Sequence, residues 1–105
     1  MALTREFKET VRARAGRDTA FREALLREAL EMLLADDLET GKAMLRDYIN
    51  ATVGFEKLGA VTKTSPKSLM RMFGPRGNPQ ARNLFAVISK IQKHTGVKLS
   101  VRASV

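Results

Sequence analysis

Lys67, Ser68 and Arg71 are the side chains whose types and spacing most clearly suggest a chemical role, which is binding to phosphate groups and to base edges. They lie in the segment SPKSLMRMF, where Ser65 is a favoured N-cap residue and Pro66 a favoured first helical residue. The segment therefore predicts a short helix that carries these three side chains on its outward face, near its N-terminal end.

A second short helix is predicted just before it, over FEKLGAVT, and a turn of about three residues joins the two. This spacing is typical of a helix-turn-helix, in which the N-terminal part of the second helix enters the major groove of DNA. Gly59 stands where the two helices must cross closely, and Thr64 closes the turn. The inward side chains predicted for this pair are Leu58 and Val61, followed by Leu69 and either Met72 or Phe73.

The stretch GPRGNP that follows combines a helix stop with a new helix start. Gly followed by Pro ends one helix, and Asn78 followed by Pro79 repeats the cap-and-proline pattern of a helix start. Free N–H groups at a helix N-terminus bind phosphate, and Arg76 and Arg82 stand on either side of this start. We therefore predict a contact with the DNA backbone here.

Charge is distributed unevenly along the chain, whose formal net charge is +8. Residues 1–53 carry 9 basic and 10 acidic side chains, whereas residues 54–105 carry 10 basic side chains and only Glu56 as an acid. A near-neutral part joined to a strongly basic part is typical of a scaffold with a polyanion-binding face. The alternative is that the charge only keeps the chain in solution, since an exposed row of Lys and Arg is often no more than solvated surface.

The composition argues against several other classes of protein. The absence of Cys excludes disulfides and thiolate metal sites and favours a cytoplasmic location. The apolar runs are short and the start MALTREFKET is polar, so we predict neither a membrane span nor a signal peptide. Asp36 and Asp37 suit a helix start better than a metal site, and His94 has no catalytic partner. We therefore predict no enzyme activity, no metal and no cofactor.

Three helices are predicted before the helix-turn-helix. The first runs from Thr4 to Ala15 and is ended by Gly16. The second covers TAFREALLREALEMLL after the cap Asp18, and its apolar arc is broader than one neighbouring helix needs, which favours a second subunit against it. The third lies within DDLETGKAMLRDYINATVG, with Asp36 and Glu39 as a capping box and Gly54 at its end.

The chain is predicted to finish with a sixth helix and a strand. The helix is predicted to run to about Lys93, with Thr95 and Gly96 breaking it. The segment VKLSVRA then alternates apolar and polar residues, which is the period of a strand. We expect this strand to pair across a homodimer or to join the sheet of a partner, and the alternative is an extension packed on its own chain. The inward residues predicted for the helix are Leu84, Phe85, Ile88 and Ile91.

Together these patterns predict an all-α fold of five or six helices with a helix-turn-helix and one short C-terminal β-strand. The length of 105 residues is enough for one domain and too short for two. Within it, residues 1–53 are assigned to a helical scaffold and dimerisation part. Residues 54–93 are assigned to the DNA-binding helix-turn-helix, and residues 97–103 to the terminal strand.

The run FEKLGAVTKTSPKSLMRMFGPRGNPQARNLFAVISKI resembles the helix-turn-helix of the Cro/repressor-type (XRE) transcriptional regulators, and more narrowly the addiction-module antidote group of HigA-like antitoxins. With the flanking segments LETGKAMLRDYINATVG and VKLSV, the resemblance extends over residues 21–101. It implies a homodimer that binds double-stranded operator DNA as a repressor. The implied DNA-contacting residues are Ser65, Lys67, Ser68 and Arg71, with Arg76 and Asn78 on the DNA backbone.

Lys63 departs from the family pattern, which commonly has Gly at this position of the turn. A non-Gly residue in the left-handed conformation costs roughly 1 kcal/mol or more. Either the turn differs slightly, or the cost is accepted for a charge that contacts phosphate. Two alternative functions stay open: an antitoxin whose main role is to bind and neutralise a cognate toxin, and an RNA-binding or phage-packaging module that uses the same helix pair.

Overall fold

Helices make up all of the regular secondary structure in residues 5–105, the part of the chain that the computed structural model describes; side chains are described from Thr10 onward. The all-α prediction is therefore confirmed for this part of the chain. The helices are α1 (Arg5–Arg17), α2 (Thr19–Leu34), α3 (Leu38–Ala51), α4 (Phe55–Thr62), α5 (Pro66–Met72) and α6 (Ala81–Thr95).

The helices α1, α2 and α3 pack against one another. The start of α2 is fixed by the predicted cap Asp18, whose carboxylate accepts a hydrogen bond from the N–H of Phe21 at 3.1 Å. This bond, helped by the charge of Arg14, holds the pKa of Asp18 below its usual value. The predicted span of α2 agrees with the observed one.

The end of α1 differs from the prediction. The helix continues through Gly16 to Arg17, because the N–H of Asp18 still bonds to the carbonyl of Arg14 at 2.8 Å. Gly16 therefore does not end the helix, and the next helix begins almost at once. The predicted first residue, Thr4, lies outside the described residues.

The start of α3 also differs, since its cap is Asp37 and not Asp36. Asp37 accepts a hydrogen bond from the N–H of Thr40 at 3.1 Å. Asp36 has a φ of 66°, so it forms the left-handed turn between the helices instead. The helix ends at Ala51, and Gly54, with a φ of 80°, is the cap of α4 rather than the end of α3.

The helix α4 contacts both α5 and α6, and it has the predicted boundaries. A single cluster of buried side chains joins this group to α1, α2 and α3, so the scaffold and the helix pair share one core. Its fully buried members are Leu26, Leu45, Tyr48, Ile49, Leu58 and Ile91, together with Ala15 and Ala29.

The predicted terminal strand is wrong, because residues 97–103 form no strand. Val97 and Leu99 instead pack against the core of their own chain. The N–H of Leu99 donates to Oε1 of Gln92 at 2.8 Å, so a side chain of α6 supplies the partner that a second strand would have supplied. The alternation of apolar residues therefore reflects an extended segment of which Val97 and Leu99 lie on the core, whereas Val101 is 86% exposed.

Two side chains predicted to face inward do not. Val61 is 49% exposed and Phe85 is 62% exposed. In α6 the buried positions are Leu84, Val87, Ile88 and Ile91, a narrower face than the predicted one. Val87 takes the inward place that the prediction gave to Phe85.

Candidate nucleic-acid interface

The crossing of α4 and α5 depends on Gly59. A Cβ built on Gly59 would lie 2.5 Å from the carbonyl oxygen of Thr64 and 3.4 Å from Cδ of Pro66, so no larger residue fits without a shift. The N–H of Thr64 donates to the carbonyl of Gly59 at 3.0 Å, which closes the turn. The short turn and the close crossing therefore have the geometry that the spacing predicted.

The turn between α4 and α5 contains Lys63 in the left-handed conformation, with φ of 55° and ψ of 40°. The backbone at this position is therefore the one that a Gly would adopt most easily. The side chain of Lys63 is exposed. The left-handed conformation that the sequence analysis considered costly is therefore present at Lys63.

The inward face of α5 is held by Leu69 and by Phe73, which follows the last helical residue; they are 2% and 1% exposed. The Phe73 ring contacts that of Phe55 from α4, with 6.3 Å between centroids and a tilt of 52°. Met72 is only partly buried, so Phe73 is the main inward residue. This packing fixes which side of α5 faces outward.

Two serines at the N-terminus of α5 differ in the hydrogen bonds that their hydroxyl groups make. Ser65 is the cap: its Oγ accepts from the N–H of Ser68 at 3.1 Å and donates to Oγ of Ser68 at 2.8 Å. The hydroxyl of Ser65 is engaged twice, by the N–H and by the hydroxyl of Ser68, whereas the hydroxyl of Ser68 has only the bond to Ser65. Ser68 is the better placed of the two for a ligand.

Cations cover the outward side of this region. Lys63, Lys67, Arg71, Arg76 and Arg82 are all exposed. Among the described residues, no carboxylate lies within ion-pair distance of any of them. The carboxylates whose positions are described therefore leave this charge available to an anionic partner.

A shallow groove of about 410 Å³ lies between α5 and the segment that leads into α6. Four of the residues predicted from the sequence meet there: Ser68, Arg71, Arg76 and Asn78. Ser65, Lys63, Lys67 and Arg82 do not line it. Gln80 and Asn83, which the sequence analysis missed, also line the groove. Their spacing of three residues at a helix start was the signal that they share a face.

The predicted helix start at Asn78 and Pro79 is wrong. The helix α6 begins at Ala81 after Gln80, and Gln80 makes no side-chain capping bond. Asn78 and Pro79 belong to the extended approach to the helix and line the groove. Arg82 lies in the first turn of α6, so the free N–H groups of this end are two residues later than predicted.

A buried lysine, Lys42 of α3, was missed as a contributor to this region. Its side chain is 1% exposed, and its Nζ donates to the carbonyl of Gly74 at 2.9 Å and of Gly77 at 2.6 Å. The sequence signal was its place between Leu38, Leu45 and Ile49, because a charged residue within an apolar stripe needs a specific partner.

No group of three or more His, Asp or Glu side chains comes together within the described part of the chain in a way that could hold a metal ion. In the same residues, no helix is long and apolar enough to cross a membrane. Comparison of the chain with known protein families, with curated proteins and with solved structures finds no match.

Proposed function

We propose that this chain binds double-stranded DNA in a sequence-specific way through α5 and acts as a transcriptional regulator, most simply a repressor that works as a homodimer. The observation that carries the proposal is the face of α5 opposite Leu69 and Phe73. It presents Lys67, Ser68 and Arg71 without any neutralising carboxylate from the described residues. A short helix of this kind, set on a rigid crossing, fits the major groove.

The groove beside α5 supports a division of roles. Arg71 can bond to two atoms of a guanine edge, and Lys67 and Ser68 can bond to neighbouring bases or phosphates. Arg76, Arg82 and Lys63 surround this face and suit contacts with the phosphate backbone, which set the register of the protein on the duplex. Asn78 lines the same groove and can donate to a phosphate oxygen.

The homodimer is supported by apolar side chains that this chain leaves uncovered. Leu34 at the end of α2 is 74% exposed, and Phe85 on α6 is 62% exposed. A dimer would set its two copies of α5 one turn of DNA apart, roughly 34 Å.

The antitoxin alternative drew part of its support from a strand at residues 97–103. Because that segment forms no strand and its residues Val97 and Leu99 pack on their own chain, we favour DNA binding as the main function.

The proposal is tested by selecting bound sites from random duplex DNA and then comparing variants on the selected site. Arg71→Ala is expected to cost about 1–3 kcal/mol of binding free energy and to relax the preference at one base position. Lys93→Ala is the matched control. This variant also removes one positive charge, but from the last turn of α6, roughly 18 Å along the helix from its first residue. The variant should keep the base preference of the wild-type protein.

Two results would contradict the proposal. One is an Arg71→Ala variant that keeps full affinity and the same base preference, which would mean that α5 does not read the sequence. The other is tighter binding to duplex RNA than to duplex DNA at matched salt, which would favour the RNA-binding alternative. Sites selected as inverted repeats would support the homodimer, and sites without symmetry would count against it.

A further inference from the structure

Lys42 is a buried charge. Its partners are two backbone carbonyls next to the candidate groove and one neighbouring acid, Glu39. Its Nζ donates to the carbonyls of Gly74 and Gly77 at 2.9 and 2.6 Å, and it pairs with Oε1 of Glu39 at 3.1 Å. Two of the three donors of the ammonium group make hydrogen bonds, and Glu39 supplies a nearby opposite charge. These partners make the burial of the charge tolerable.

The two carbonyls belong to the ends of one tight turn. The N–H of Gly77 donates to the carbonyl of Gly74 at 3.0 Å, which places Pro75 and Arg76 at the two central positions of a β-turn. Pro is favoured at the first central position because its φ is already fixed. Lys42 therefore holds both ends of the turn that carries Arg76.

The opposite side of the same turn rests on the end of α5. A Cβ on Gly77 would collide with the carbonyl oxygens of Arg71 and Met72, so the turn lies directly against the helix. The N–H of Gly74 also donates to the carbonyl of Arg71 at 3.1 Å. The turn is thus held between α5 on one side and Lys42 on the other.

We propose that Lys42 is a positioning residue for the DNA-binding groove. From α3 it fixes the turn over residues 74–77, so that Arg76 is held beside Arg71 before DNA arrives. The inference rests on the proposed function and adds a residue that does not itself touch DNA. The physical reason is that ordering a mobile Arg and its turn at the moment of binding costs conformational entropy, and a turn that is already fixed avoids this cost.

The main experiment is a double-mutant cycle on a fluorescent duplex that carries a site selected by the wild-type protein. Lys42→Met keeps the length and apolar volume of the side chain but removes its three donors. We expect it to weaken binding about two- to tenfold, the range for ordering one long side chain. Arg76→Ala should weaken binding as well. The double variant should be no weaker than Arg76→Ala alone, because a misplaced turn has no further effect once Arg76 is gone.

The outcome that overturns the inference is additivity. If the double variant loses the product of the two single effects, Lys42 contributes to folding or to overall charge and does not act through Arg76. Glu39→Gln is the matched control. It removes the charge of an acid that is 67% exposed while leaving both carbonyl bonds in place, so affinity should stay within about twofold of wild type.

A second measurement does not depend on DNA or on the folding of a variant. In the wild-type chain the amide hydrogen of Gly77 should exchange as slowly as that of Phe73, which donates to the carbonyl of Leu69 at the end of α5. Rapid exchange at Gly77 would overturn the claim that the turn is fixed. If the wild-type protein binds no duplex, the proposed function fails and takes the DNA role of Lys42 with it. Binding with additive losses removes only the role of Lys42.

Discussion

At the scale of single residues, Lys63 combines a structural cost with a useful charge. Its left-handed conformation, with φ of 55°, is one that residues other than Gly, Asn and Asp rarely adopt. The resemblance to the helix-turn-helix regulators predicted the difficulty, because that family commonly has Gly at the position of Lys63. The exposed ammonium group of Lys63 stands next to the cap of α5, where the proposed DNA contacts begin.

We expect Lys63→Gly to raise the free energy of unfolding by about 1 kcal/mol, because Gly adopts the left-handed conformation without strain. The same change should weaken DNA binding. It should also lower the slope of log binding constant against log salt concentration by about 1, the value for one lost phosphate contact. Urea unfolding and binding titrations at several salt concentrations measure the two effects. Lys67→Gly is the comparison: it removes the same charge inside α5 and should lower stability. A Lys63→Gly variant no more stable than wild type would show that the turn relaxes.

Some residues of the candidate site could not be predicted, and the reasons are physical. Lys42 was missed because its partners are backbone carbonyls more than thirty positions away. Every residue has a carbonyl, so residue types cannot show which carbonyl will be the partner. The three outward side chains of α5 were easier to predict, because the cap Ser65 and the proline at the first helical position fix the phase of the helix. A fixed phase decides which side chains can face outward.

At the scale of elements, helices with a clear start were predicted well. The helix α2 agrees from end to end because Asp18 caps it, and α5 begins where its Ser-Pro pair requires. The start of α6 was wrong because the helix begins at Ala81 after Gln80, which takes the cap position without a side-chain bond and so carries no capping signal in the sequence. The strand was wrong because apolar alternation indicates an extended segment with one side toward the core, and such a segment needs no second strand: Val97 and Leu99 pack on the core, and Gln92 of α6 accepts from the N–H of Leu99.

The crossing of α4 and α5 gives a prediction at this scale. We expect Gly59→Ala to lower the free energy of unfolding by about 1–3 kcal/mol, because the added methyl group meets a backbone carbonyl that cannot turn aside. Gly16→Ala is the control within α1. Its nearest atom outside the helix lies 3.8 Å away, so there Ala should stabilise the helix by about 0.5–1 kcal/mol. Thermal unfolding of the two variants measures both effects.

If Gly59→Ala is instead as stable as wild type, the two helices can separate without loss, and the crossing does not fix their angle. A DNA-binding measurement on the variant then decides whether the crossing angle matters for recognition. A variant that stays folded but has lost binding would show that the angle matters for recognition. A variant that keeps both properties would contradict the role given to Gly59.

At the scale of the whole molecule, the division of charge along the chain is also a division in space. The helices α1, α2 and α3 form the near-neutral part, and α4, α5 and α6 with the segment after them form the basic part. The sequence predicted this division from residue types alone. It could not predict which cations would meet across α5 and the turn of residues 74–77, because that depends on packing between elements distant in sequence.

The proposed function predicts strongly salt-dependent binding. If the protein neutralises about 6–10 phosphates, affinity should fall about 10³–10⁵-fold between 50 and 200 mM salt. Arg82→Ala should lower the slope by about 1, whereas Arg27→Ala, which removes an exposed cation from α2, should leave the slope unchanged. Titrations of each variant against salt measure the slopes. Equal changes for both variants would mean that binding follows net charge and not a defined face.

Because nearly all acidic side chains lie in residues 1–53, the net positive charge is concentrated in the other part of the fold, which gives the protein a permanent dipole moment. Near a polyanion such a molecule experiences a torque, so one that approaches backwards tends to rotate before it collides. The field acts over about 8 Å at physiological ionic strength, so this rotation belongs to the last nanometre of diffusion. Productive collisions should therefore be a larger share of all collisions in dilute buffer than in concentrated buffer, and association rates should record that difference before equilibrium constants do.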